Sequence, residues 1–207
     1  IPVGVKLSLP IENSNRDYFK NKLFPLHTKK KVVLYVGRIV RQKNLDSWIE
    51  VAKIVHQRVK DVIFVIVGDG NDRERIKNLI AIEGLTTSVL LLGNKKYQDL
   101  PDIYAAADVF LLMSDYEGFG RVILESYLSK VPVVTTAQSG PEDLIDHGCT
   151  GYLIPNGKID LAAESVIKLL EDTTLAENMA IAGYEKMIAH FSREALAERM
   201  IAFWRDN

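Results

Sequence analysis

The chain has 207 residues, 47% of them hydrophobic, and a formal net charge of −1. This amounts to one large domain with material for a sizeable core, and it excludes any general electrostatic pull toward nucleic acid or an anionic membrane. The single cysteine, Cys149, excludes an internal disulfide and any multi-cysteine metal site, in keeping with a reducing compartment such as the cytoplasm. No apolar run approaches 18 residues and no segment reads as a signal peptide, so membrane association is expected only through a longer, full-length protein. The sequence starts Ile1-Pro2-Val3 without methionine and is expected to be a piece of such a protein.

Residues 1–30 are irregular, with Pro2, Pro10 and Pro25, and hold at most a short helix near Arg16–Lys22. Val32 to Val36 is a continuous apolar run ending in Gly37; without alternation, both faces of this strand should be buried. Asn44 can cap the next helix, where Leu45, Trp48, Ile49, Ala52, Val55 and Val59 form one face. A strand at Val62–Val67 runs into Gly68-Asp69-Gly70, and a charged helix spans about Asp72–Glu83. A strand at Val89–Leu92 ends in Gly93, and Leu100–Ala107 reads as a short helix with Pro101 at its start. Val109–Met113 is a further buried strand. Pro132–Thr136 is the next, then a short helix at Pro141–Asp146 and a last strand at Tyr152–Ile154. Helices at about Ile159–Asp172, Leu175–His190 and Arg193–Arg205 close the chain.

Strands that alternate with helices predict an α/β fold, a Rossmann-like doubly wound parallel sheet covered on both faces. Ligands of such folds lie beyond the carboxyl ends of the strands. Gly37-Arg38, Gly68-Asp69, Gly93-Asn94, Ser114–Gly120 and Thr136–Gly140 all fall there, so the glycines and charged loop residues converge on one edge.

The richest stretch is Ser114-Asp-Tyr-Glu-Gly-Phe-Gly-Arg-Val-Ile-Leu-Glu125, a strand end, a glycine turn and a helix. Gly118 and Gly120 permit unusual backbone angles and close approach of a ligand. The first helical turn after them offers unpaired N–H groups and a partial positive charge, which suits phosphate. Glu117 could complement that helix terminus or contact a ligand, and Glu125 could lie on a solvated helix face or do the same. Their spacing, roughly 12 Å if all helical, is too wide for a paired acid and base, which lie roughly 5–10 Å apart. It suits two carboxylates gripping different parts of one long ligand. Arg38 and Lys43, after the first strand, are either solvated loop residues or fixed donors for a diphosphate, and their place at the sheet edge favours the latter. Arg41 competes with Lys43 for that role. Phe119 reads as a packing residue that shapes the turn, Arg121 as a phosphate contact or an exposed side chain, and Glu142 as a local carboxylate at a helix start.

Together, Glu-Gly-Phe-Gly, the Glu117/Glu125 spacing, Gly37-Arg38 with Lys43, and Lys130-Val-Pro-Val-Val-Thr-Thr-Ala-Gln-Ser-Gly-Pro-Glu142 resemble retaining GT-B glycosyltransferases, in particular glycosyltransferase family 4 (glycosyl transferases group 1) and its E-x7-E motif. The resemblance runs from about Lys31 to the C-terminus. It implies the C-terminal half of a GT-B fold: an interdomain linker over 1–30, a nucleotide-sugar (donor) domain over 31–190, and a C-terminal helix over 191–207 that packs on an N-terminal acceptor domain absent from this chain. It further implies that Arg38 and Lys43 grip the donor diphosphate, Glu117 the donor-sugar hydroxyls with the backbone of Gly118, Phe119 and Gly120, Glu125 the ribose, and Asn94 and Lys95 the base. Asn44 and Ser139 stand where glycine is common in the family, and Arg121 where an aliphatic residue is.

There is no Asp-x-Asp, and His27, His56, His147 and His190 are scattered, so no cofactor or metal is expected; Arg38, Lys43 and the helix N-terminus would take the metal's electrostatic role. No G-x-G-x-x-G, P-loop lysine or G-x-S-x-G occurs, and no basic stripe marks a nucleic-acid binder. The expected function is donor binding for sugar transfer from a nucleotide-diphosphate sugar to an acceptor hydroxyl, inactive as the isolated chain. The alternatives are a non-catalytic nucleotide-binding module and another GT-B activity, a sugar-nucleotide epimerase or a phosphorylase.

Overall fold

The computed structural model describes residues 16–192 together with 195, 197 and 198. Six apolar segments form its sheet: β1 (Lys31–Val36), β2 (Val62–Val67), β3 (Val89–Gly93), β4 (Val109–Leu112), β5 (Val133–Thr136) and β6 (Gly151–Ile154). Their order is β3-β2-β1-β4-β5-β6 and every neighbouring pair is parallel. The uninterrupted apolar runs behave as their composition requires. β2 and β4 are buried at every position, and β1 at every position but Lys31. The edge strands β3 and β6 are only partly covered.

The helices are α1 (Arg16–Leu23), α2 (Leu45–Arg58), α3 (Arg73–Ile82), α4 (Leu100–Ala105), α5 (Arg121–Leu128), α6 (Ser139–Leu144), α7 (Ile159–Glu171) and α8 (Thr173–Phe191). From β1 the chain winds outward through α2 and α3 to β3, crosses back to β4, then winds outward the other way through α5 and α6. With right-handed crossovers the two groups of helices take opposite faces. α2 is fixed by its apolar stripe: Trp48 is fully buried, stacks edge-on against Tyr35 and Phe64, and its indole N–H donates to the Leu111 carbonyl at 3.0 Å.

Some boundaries differ from the sequence expectation for local reasons. α4 stops at Ala105 because the chain tightens, Ala107 N–H bonding back to the Tyr104 carbonyl. α6 starts at Ser139 rather than Pro141, since proline is tolerated in a first turn where its missing N–H has no partner to lose. α7 and α8 meet at a corner of one residue: Asp172 ends the first and caps the second, its carboxylate accepting from Leu175 N–H at 2.9 Å. The helix expected at 193–205 falls largely outside the described residues, and residues 1–15, before α1, fall wholly outside them.

α1 docks at the amino ends of the strands. Lys20 is buried, and its ammonium donates to Asp108 Oδ2 at 2.7 Å; the same oxygen accepts from Val32 N–H at 2.7 Å. The opposite, carboxyl edge is thereby left to the loops that carry the glycines.

Candidate functional site

The strand order reverses at β1, whose neighbours are β2 and β4. The loops leaving β1 and β4 therefore diverge to opposite faces and open a crevice between them, the place where doubly wound sheets hold ligands. Here the two loops are tied across the crevice. Lys43 Nζ donates to Glu117 Oε2 at 2.5 Å, Asn44 Nδ2 to Asp115 Oδ1 at 2.6 Å and Gln42 Nε2 to the Tyr116 carbonyl at 3.0 Å, while Asp115 N–H donates to the Gln42 carbonyl at 3.0 Å. Lys43 and Glu117 are both largely withdrawn from solvent, at 13% and 14% side-chain exposure. Arg41 points away, 77% exposed and 3.7 Å from Asp72. Of the two competing cations, Lys43 is the one in the crevice.

Asn44 has left-handed backbone angles (φ 45°, ψ 53°), which accounts for the fitness of glycine at such a position. Asparagine tolerates the conformation and adds two bonds glycine lacks: its carboxamide oxygen caps Ser47 N–H at 3.2 Å, and its NH2 reaches Asp115.

The glycine turn is held from behind by the first turn of α6. A Cβ on Gly140 would lie 2.7 Å from the carbonyl oxygens of both Glu117 and Gly118, so the two backbones touch only because residue 140 has no side chain. Thr136 Oγ1 donates to the Ser114 carbonyl at 2.6 Å and steadies the same loop. Gly120 is left-handed (φ 81°) and opens α5 with no side-chain cap; Ile123 N–H turns back to the Gly120 carbonyl at 2.8 Å, and the Arg121 and Val122 N–H groups ahead of it are available to an anion. Phe119 is partly buried against the core and stacks edge-on with Phe191 at the end of α8, a packing role.

Glu125 lies on α5 with its side chain 13% exposed. Its Oε2 accepts from the fully buried Tyr104 hydroxyl at 3.1 Å, and Arg121 Nη2 stands 3.9 Å from Oε1. Burial holds the Glu125 carboxyl above the usual carboxylate range, against the opposing pull of the Tyr104 hydrogen bond and the Arg121 charge. Burial likewise drives Tyr104 well up, reinforced by the Glu125 charge, so its hydroxyl keeps its proton and acts as donor. Tyr35, below the crevice, is also pushed up by burial and then by Glu117, and donates to the Arg38 carbonyl at 2.8 Å.

Beyond the ends of β1, β2 and β3 the crevice continues as a cleft of about 340 Å³, lined by Gly37, Arg38, Gly68, Asp69, Asn94 and Lys95 among others. On its floor the backbones after β1 and β2 touch, an approach that only glycine permits: a Cβ on Gly68 would lie 1.8 Å from the Gly37 carbonyl oxygen. Arg38 and Lys95 are exposed at this cleft.

Residues 18–186 match the profile of the family described as glycosyl transferases group 1. The chain belongs to this family. Among its curated relatives, alpha-D-kanosaminyltransferase of Streptomyces kanamyceticus is 33% identical over 175 residues, which is 84% of this chain and 45% of that protein. Poly(ribitol-phosphate) alpha-N-acetylglucosaminyltransferase of Staphylococcus aureus is 32% identical, over 83% of this chain and 34% of that one. The chain thus spans less than half the length of both. Among solved structures, Anabaena HepE in complex with UDP superposes with a TM-score of 0.87 at 25% identity, covering 99% of this chain and 56% of that one. A Staphylococcus aureus TarM variant in complex with fondaparinux, alpha-GlcNAc-glycerol and UDP gives 0.83 at 27%, covering 96% and 38%. These are glycosyltransferase structures of the GT-B type, and the six-stranded parallel α/β sheet of this group 1 chain matches them.

The residues named from the sequence fall into two neighbouring groups of this group 1 domain. Lys43, Glu117, Gly118 and Gly120 meet at the crevice, with Arg121 and Glu125 on α5 beside it; Gly37, Arg38, Asn94 and Lys95 line the cleft. Among the described residues no group of three or more His, Cys, Asp or Glu is placed to hold a metal, and no helix is long and apolar enough to cross a membrane. The sequence reading did not single out Tyr104, Asp115, Gln42 or Gly140 as parts of the site. Tyr104 looks like one more apolar-face residue of a short helix, and its hydroxyl gains meaning only when α4 and α5 are seen side by side.

Proposed function

We propose that this chain is the donor-binding half of a retaining glycosyltransferase resembling family 4, which transfers a sugar from a nucleoside diphosphate sugar to an acceptor hydroxyl. The observation that carries the reading is the Lys43–Glu117 contact across the β1/β4 crevice, beside an uncapped helix start. In this reading Lys43 and the Arg121 and Val122 N–H groups would meet the diphosphate, and the Glu117 carboxylate the attached sugar. The cleft walled by Arg38, Asn94 and Lys95 would take the base, and Glu125 would take the ribose. Relatives solved with UDP support a nucleotide donor.

Transfer requires the bond between the anomeric carbon and the diphosphate oxygen to break, leaving negative charge on the departing diphosphate. Arg38, Lys43 and the α5 N–H groups would stabilise that charge without reorganising, the usual source of electrostatic catalysis. Glu117 would orient the sugar through its hydroxyls, so that binding energy remote from the reacting carbon fixes the geometry. The acceptor would come from an N-terminal domain outside this chain, and the isolated chain would bind donor with little or no transfer.

The test is a thermal-shift screen of the 207-residue chain, without added metal, against UDP, GDP, ADP, TDP and their sugar conjugates. A ligand at a hundredfold its dissociation constant stabilises by about 2.7 kcal/mol, roughly 5–10 °C for a domain of this size. A base-selective shift that disappears in Lys43→Ala supports the reading. Equal melting with every nucleotide, in this chain and in the full-length protein, refutes it.

A further inference from the structure

We infer that Tyr104 is a positioning residue that turns Glu125 into a selector for ribonucleotides over 2′-deoxyribonucleotides. The inference rests on the reading of Glu125 as the ribose-binding carboxylate.

The terminal torsion of a glutamate is broad, so rotamer preference alone does not fix the plane of its carboxylate. A carboxylate meant to accept both vicinal hydroxyls of a ribose needs that plane fixed, because each hydroxyl must meet its own lone pair at good geometry. Here the plane is set from behind. Tyr104 is buried to 1% exposure, and its ring leans on Phe110 of β4 with centroids 5.8 Å apart. The hydroxyl of so buried a tyrosine needs a partner, and among the described residues it donates to Glu125 Oε2, at 3.1 Å. The other oxygen has Arg121 Nη2 at 3.9 Å, too long for a hydrogen bond and close enough to favour the ionised form. One lone pair is thus used on a group that cannot move, and the rest of the carboxylate's accepting capacity stays with the site.

Sites built to hydrogen-bond a substrate hydroxyl reject analogues that lack it far better than apolar pockets reject a size change. Removing the Tyr104 hydroxyl while keeping its ring should leave packing in place and free the carboxylate to turn. Discrimination between hydroxyl patterns would then fall more than overall affinity.

The experiment measures dissociation constants by calorimetry for the pairs UDP and dUDP, GDP and dGDP, ADP and dADP, on the wild-type chain, Tyr104→Phe and Glu125→Ala, with melting curves of each. The expected result is a ribo-to-deoxy preference of about tenfold or more in the wild type. It should be compressed at least threefold in Tyr104→Phe, with a melting point within a few degrees of wild type, and lost in Glu125→Ala. A wild-type preference that survives in Tyr104→Phe while vanishing in Glu125→Ala overturns the role of Tyr104 and leaves the ribose reading standing. A preference that survives in Glu125→Ala, or is absent from the wild type, overturns the ribose reading and this inference with it. If Tyr104→Phe melts early, the ratio is read well below its midpoint, where the folded fraction is the same in both titrations of a pair and cancels from the ratio.

Discussion

Lys43 and Glu117 are 74 residues apart in sequence and 2.5 Å apart in space, joining the loops after β1 and β4 over the point where the strand order reverses. Each is mostly shielded from water, so either alone would be a poorly solvated charge. Lys43→Ala and Glu117→Ala are each expected to lower the unfolding free energy by about 1–3 kcal/mol. The double variant should cost less than the sum, with a coupling of about 1 kcal/mol or more. The two should part company on ligand. Lys43→Ala is expected to weaken nucleoside diphosphate and nucleotide sugar alike, by at least tenfold, through loss of a charge-assisted contact to phosphate. Glu117→Ala should leave the bare diphosphate nearly unaffected and remove any preference for the sugar conjugate. Calorimetric titration of both variants with each ligand class checks this, and identical effects of the two on the bare diphosphate would sink the division of roles.

Gly140 gives a steric prediction that needs no assumption about the ligand. A Cβ there meets two backbone carbonyl oxygens at 2.7 Å, and backbone cannot swing aside as a side-chain end can. Gly140→Ala should therefore push the 117–118 turn away from the start of α6, at a cost of about 1–3 kcal/mol typical of overpacking. Donor affinity should fall along with stability. Gly84→Ala is the control: its Cβ would meet nothing within 4 Å, although its φ of 70° carries a backbone cost of its own. A Gly140→Ala protein with wild-type melting and wild-type nucleotide binding would show that the turn is not held in place by this contact.

The sheet was legible because burial on both faces leaves an unmistakable mark: apolar runs of five and six residues such as Val32–Val36 and Val62–Val67, each followed by glycine. The clustering of Arg38, Lys43, Glu117 and Asn94 at one edge followed from the alternation of strands and helices alone. What stayed hidden was pairing between distant polar residues. Asn44 could be read as a cap from its position before a helix, whereas its left-handed backbone and its bond to Asp115 depend on the β4 loop lying opposite. Lys20 is another case. In sequence it belongs to a charged, irregular opening stretch; in the structure it is 5% exposed and neutralised by Asp108, 88 residues later and just before β4. Periodicity reports how apolar faces point, and carries no record of which charge meets which.

That buried pair makes its own prediction. Asp108 also accepts from Val32 N–H, with Arg16 at 3.7 Å and Lys31 at 3.9 Å, so removal of Lys20 leaves it partly compensated. Lys20→Met is expected to destabilise by about 2–4 kcal/mol, toward the lower part of the range for breaking a buried ion pair. The replacement of both partners, Lys20→Met with Asp108→Asn, should recover part of that loss. Nucleotide affinity should not change, since α1 packs at the amino ends of the strands, away from the crevice. Denaturant unfolding of the single and the double variant beside wild type, with a nucleotide titration of each, tests both halves of the statement.

Glu125 should show a conflict between stability and binding, visible in its pH dependence. Burial raises its carboxyl above the usual 4.5, so the native state holds that proton more tightly than the unfolded chain does. With more protons bound in the native than in the unfolded state, the unfolding free energy falls as pH rises through the window from 4.5 to the raised value. Above that window the ionised group carries its full penalty, and below 4.5 there is none. Glu125→Gln, which keeps the shape and an acceptor for Tyr104, should therefore melt higher than wild type at pH 7, by a few degrees for a gain of about 1 kcal/mol. The advantage should shrink on acidification and be gone below pH 4.5. The same substitution should weaken nucleotide binding at pH 7, because an amide accepts hydroxyl hydrogen bonds less strongly than a carboxylate. In the wild type, affinity should begin to fall on acidification at a pH above that of an ordinary glutamate. Melting curves of both proteins from pH 4 to 8 decide the first point: a Glu125→Gln chain no more stable than wild type at pH 7 would mean that the carboxylate's surroundings already compensate its burial in full.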